Sequence, residues 1–173
     1  MRKFVMLTAG LTAILLVGVS PAPGSSDPDR SPVQSIRQRL IDASLAPSPL
    51  FPDRIPAKIA RQQADLTLYG NNFYVSFHNC PRGTSACRLL VDYSRLKKSA
   101  LKQLKKMVRT QQHKLHRVRI NGQKAIYAKS DVTFFYAWRA QHHTYYVGSH
   151  YFGSVKRRDL RTMVASVRPL PRG

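Results

Sequence analysis

The sequence predicts an α+β domain: a mainly antiparallel sheet with helices packed on it. Two observations predict this. From about residue 64 the apolar residues alternate in short runs joined by hairpin-type links, and two helical patterns interrupt and follow those runs, each with one apolar stripe.

In chain order, "SPVQSIRQRLIDASLA" predicts a helix over 32–46, with Ser31 as N-cap, Pro32 at the first helical position, and Val33, Ile36, Leu40 and Ala43 along a modest stripe. Such a stripe suits either an arm docked on the main body or a loosely attached element. "PSPLFPDRIP" cannot continue the helix and predicts a semi-rigid linker. "DLTLYG", "FYVSFHN" and "RLLVDY" predict three strands; in the second, Phe73, Val75 and Phe77 face one way and Tyr74, Ser76 and His78 the other. A helix over 97–109 follows, with Leu101, Leu104 and Val108 on its stripe and Ala100 and Met107 at its flanks. "HRVRI" and "QKAIYAKS" meet across Asn121-Gly122, a strong hairpin signal. "DVTFFYAWRA" and "TYYVGSHYF" form a further pair around "QHH". Ser154 is the predicted cap of a last helix, "VKRRDLRTMVASV", with an apolar face of Leu160, Met163, Val164 and Val167. There are no internal repeats. The expected organisation is a signal peptide at 1–24, an arm and linker at 25–63, and one α+β domain at 64–173.

The signal reading rests on "MRK" as a positive start, "FVMLTAGLTAILLVGVS" as the apolar run, and small residues in "PAPGSS", with cleavage expected after Gly24. An uncleaved anchor is the alternative. The implied location is secreted or cell-surface. In that setting Cys80 and Cys87, bracketing six residues with Pro81 and Gly83, predict a structural disulfide contributing about 2 to 3 kcal/mol. Their spacing is not that of a C-x-x-C redox pair.

The charge balance is the other unusual feature. Of 173 residues, 29 are Lys or Arg; all eight acidic residues are Asp, Glu is absent, and the net charge is +21. A body so charged attracts anionic polymers: nucleic acid, anionic lipid surfaces or acidic envelope polymers. "RLKKSALKQLKKMVRTQQHKLHRVR" holds ten cations and no carboxylate. A solvated helix face ordinarily mixes signs, because opposite charges four apart stabilise it and like charges repel. The absence of any anion here points to an external counter-charge. The candidate polyanion-binding residues are Lys98, Lys102, Lys105, Lys106, Arg109, Arg117 and Arg119.

The run from Ile120 to Leu170 resembles the end of a small extracytoplasmic domain of unknown function found in bacterial anti-sigma factors, lipoproteins and secreted proteins. Asn121, Gly122, Trp138, Tyr145, Tyr146, Leu160, Ala165 and Ser166 are the matching residues. The resemblance implies an α+β fold and no catalytic residues; the cytoplasmic sigma-binding segment of the anti-sigma members is missing.

Other chemistries fare less well. There is no zinc pattern, H-E-x-x-H, Gly-rich phosphate loop, G-x-S-x-G or nucleic-acid module, and no cofactor or metal is implied. His113 and His116 lie three apart and are read as surface residues. A secreted ribonuclease-like phosphodiesterase is the catalytic alternative, using His78, His142 or His143 with Lys129. A third reading is a protein-binding module in which Tyr74, Tyr127, Tyr136 and Tyr151 share an exposed sheet face. The leading expectation is a non-catalytic domain held at the anionic cell envelope by charge, with an envelope polymer or anionic lipid as partner and nucleic acid behind them.

Overall fold

The computed structural model describes residues 31–79, 88–111, 113–129, 133–150 and 155–172. The signal segment, Cys80, Cys87, Tyr151 and Ser154 lie outside the described residues. The elements are α1 (Pro32–Asp42), β1 (Leu50–Pro52), α2 (Ala57–Ala60), β2 (Gln63–Tyr69), β3 (Asn72–Asn79), β4 (Arg88–Leu96), α3 (Ala100–Thr110), β5 (Leu115–Ile120), β6 (Gln123–Lys129), β7 (Phe134–Ala140), β8 (His143–Ser149), α4 (Arg157–Ala165) and β9 (Val167–Pro169). This is the α+β architecture the sequence predicts.

Seven strands form one sheet in the order β2-β3-β4-β8-β7-β6-β5, and every neighbouring pair is antiparallel. The Asn121-Gly122 turn closes the β5–β6 hairpin with both residues at positive φ, 50° and 76°, the backbone that a two-residue I′ turn demands. Gln141 and His142 make a second turn with positive φ between β7 and β8, so His143 belongs to the strand and not to the loop.

One sheet face carries the main core. Tyr93 sits at its centre, ringed by Phe51 edge-on at 5.5 Å, Phe73 at 5.9 Å, Trp138 at 6.3 Å and Tyr145 at 6.4 Å. Helix α4 packs Leu160 and Met163, both fully buried, into this layer. Its cap differs from the expected Ser154: the helix begins at Arg157, and the Asp159 carboxylate accepts the Lys156 N–H at 2.6 Å. An acidic side chain in a first turn satisfies a free N–H and suits the positive helix end.

The segment read as arm and linker belongs to the same core. Ile36 and Leu40 of α1, Phe51 of β1 and Ile59 of α2 are buried among the sheet residues, so of the two states open to α1 the docked one is observed. A capping box between Ser31 and Gln34 starts this helix. The Pro-rich stretch, expected to be a semi-rigid linker, holds strand β1. Proline removes one ladder donor but is tolerated at an edge, and β1 pairs antiparallel with β9 in a separate two-stranded ribbon. The ribbon is fixed to the sheet through Leu50, whose C=O accepts from the Tyr93 hydroxyl at 2.9 Å and whose N–H donates to the Tyr145 hydroxyl at 3.2 Å. No helix among the described residues is long and apolar enough to cross a membrane.

Candidate functional site

Among the described residues, helix α3 packs on part of the second sheet face. Helix α3 places Leu101 and Val108, with Leu104 half-buried, against Ile126, Ala128, Phe135 and Ala137. Its apolar stripe is therefore used up in packing, and Met107 is left exposed.

Between α3 and strands β5 to β7 lies an open groove of about 990 Å³. Six cations line it: Lys102 and Lys105 from the helix, Arg117 and Arg119 from β5, Lys124 from β6 and Arg139 from β7. Strand register explains the convergence. Arg119 is directly opposite Lys124 and Arg117 opposite Ile126; carried one step past the Ala125–Trp138 pair, the β6–β7 register sets Arg139 beside Lys124. Opposed residues point to the same face, with Cβ atoms about 5 Å apart. Arg119, Lys124 and Arg139 thus form a row of three like charges across three strands. Like charges directly opposed destabilise a sheet.

No carboxylate relieves that row among the described residues. Asp42 accepts from Gln38, Asp53 from Arg37, Asp65 pairs with His78, Asp92 with His150 and Asp159 with Lys58. All five described acids are engaged away from the groove.

Of the seven predicted cations, Lys102, Lys105, Arg117 and Arg119 line the groove, while Lys98, Lys106 and Arg109 are exposed outside it. Lys124 and Arg139 were missed. Lys124 was within reach of the sequence, because counting back from the Asn121-Gly122 turn pairs it with Arg119. Arg139 was not: the β6–β7 link carries no turn signature that sets its register.

The part of the same face on β2 to β4 and β8, beyond α3, has a different chemistry. Asp65, Ser76, Asp92 and Gly148 stand in one cross-strand row. His150 Nε2 lies 3.0 Å from Asp92 Oδ1, and the Tyr74 hydroxyl also bonds Asp92. Burial pushes the Asp92 carboxyl up against the opposing pull of His150. The hydrogen bond to Asp92 raises the His150 imidazole while burial lowers it, with a net upward shift. Position 148 takes glycine for steric reasons, since a Cβ there would collide with the Tyr146 hydroxyl and the Asp92 carboxylate.

The nuclease constellation does not assemble. His78 sits beside Leu89 and His143 one residue from Thr144, the partner of Leu96, so about 23 Å of β4 separates the two ends. His143 is occupied by Arg95 at 3.2 Å and by the Gln141 carbonyl at 2.8 Å, and Lys129 falls on the opposite face from His78. Nor do Ser76, His78 and Asp65 form a relay. Both contacts, 2.8 Å to Ser76 and 3.3 Å to Asp65, use His78 Nε2, whereas a relay engages opposite ring nitrogens.

The described tyrosines of that set, Tyr74, Tyr127 and Tyr136, do not share a face either. Tyr127 and Tyr136 are buried on the core face, with the Arg157 guanidinium 4.1 Å from the Tyr127 ring and bonded to the Tyr136 hydroxyl at 3.0 Å. Tyr74 lies on the other face, as strand alternation requires. No cluster of three or more metal-ligating side chains occurs among the described residues. No family model, curated protein or solved structure matches the chain.

Proposed function

We propose that this protein is an exported, non-catalytic basic domain that associates with the anionic cell envelope through the α3–β5–β6–β7 groove. One observation supports this above the others: six cations, three of them in a single cross-strand row, converge on one concavity with no described carboxylate among them. A fold that tolerates this repulsion is stabilised by an anion that enters the groove. Walls on two sides favour a ligand that fits between helix and sheet over a flat contact. The leucines of α3 stay in the core throughout, so association needs no insertion of that helix into lipid.

The test is retention of the full exported chain on an immobilised polyanion as salt is raised. Screening and counterion release make log affinity fall linearly with log salt, with a slope that counts the cations engaged. The triple variant Arg119→Gln, Lys124→Gln, Arg139→Gln is expected to lower that slope by two to three units with the fold retained. A triple variant with the parent slope would remove the groove from the interaction.

A further inference from the structure

We infer that the groove's ligand is a single anionic lipid, seated with its phosphate or carboxylate among the cations and its acyl chain along the floor. The inference rests on the charge reading above and adds the nature of the uncharged part of the ligand.

The lining residues themselves make the selection. Apart from the cations they are Leu101, Val118, Ala125, Ile126, Ala137 and Gln123. Binding of single-stranded nucleic acid relies on aromatic platforms for the bases, and no aromatic side chain lines the groove. A glycan or polyol phosphate presents hydroxyls that need donors and acceptors beside each charge. The only neutral polar side chain here is Gln123, and its Nε2 already donates to the Arg139 carbonyl at 2.8 Å. What remains between the charges is hydrocarbon: the thin exposed edges of Leu101 and Ile126, and the methylene stems of Lys102 and Lys105, which can cover apolar matter while their ammonium groups stay outside. A volume of about 990 Å³ lies at the upper end of the range for small-molecule sites. An anionic head on an aliphatic tail satisfies both parts of this lining. A bare polyanion satisfies only one.

Titration calorimetry of the full chain with inorganic phosphate, hexyl phosphate, octyl phosphate and dodecyl phosphate, each below its micelle concentration, tests this directly, with dodecyl maltoside as the uncharged arm. Affinity is expected to rise about two- to fourfold per added methylene until the floor is covered. The maltoside is expected not to bind, and the Lys124→Gln, Arg139→Gln pair to weaken every phosphate by a similar factor. Binding of all four phosphates with no dependence on chain length would overturn the lipid assignment and leave the charge reading standing. Absence of binding to any phosphate or immobilised polyanion would overturn both. Equal binding of the maltoside would reject the charged head as the determinant. A circular dichroism melt of each variant confirms that it is folded when it is titrated.

Discussion

One face of one sheet carries two opposite treatments of charge. Over β5 to β7, six cations stand around a groove and no described acid is near them. Over β2 to β4, Asp65 and Asp92 are each paired with a histidine, and Asp92 is buried beneath tyrosines. In the second region each acid has a histidine within 3.3 Å, and the buried Asp92 has His150 as its counter-group. The first leaves its charges unresolved at the surface, where the cost is small enough to survive folding and large enough to reward a ligand. Under the function proposed above, the second region is a structural element and the first a binding one.

The largest effect is expected where charge is internal. Asp92→Ala strands His150 and Tyr74 and should destabilise by about 3 kcal/mol or more, the usual cost of breaking a buried pair, read from urea denaturation. A neutral result would abolish the contrast between the two regions. In the groove the sign reverses: Arg119→Gln, Lys124→Gln, Arg139→Gln should stabilise by roughly 0.5 to 1 kcal/mol at low salt, because repulsion is relieved. That gain should vanish near 0.5 M salt, and a loss of stability at low salt would mean that the row is satisfied within the protein.

The next expectation concerns pH. His150 binds its proton more tightly folded than unfolded, so its contribution is complete below the ordinary value of 6.5 and is lost as pH rises through the higher folded value. Asp92, pushed up mainly by burial, acts in the same direction from 3.8 upward. Stability should therefore decline from mildly acid to alkaline pH, and His150→Gln should flatten the upper step while the groove triple leaves it unchanged. Smallest of all, Lys98→Gln, Lys106→Gln and Arg109→Gln lie outside the groove and should each shift stability by less than about 0.5 kcal/mol. Their effect on the salt slope should fall well below that of the groove triple.

How much of this could be read in the residues depends on the range of each signal. The strands of the main sheet, α3 and the Asn121-Gly122 hairpin follow from local alternation, helical spacing and turn chemistry. Ribbon β1–β9 does not: its three-residue strands are too short for periodicity, and each contains a proline. The cations of α3 were legible as a run, but which of them meet β5 depended on where that helix sits over the sheet. His150–Asp92 was invisible for the same reason, since its partners lie on strands that become neighbours only when β8 closes against β4.

The β1–β9 ribbon joins Leu50 to Pro169, positions that bracket every described element except α1. Closing a loop of that length costs far more chain entropy than zipping any of the hairpins inside it. The ribbon is thus expected to be the last piece to assemble, after β5 to β8 have formed from their own turns. Its backbone amides should be the first of all the strands to trade hydrogen for deuterium.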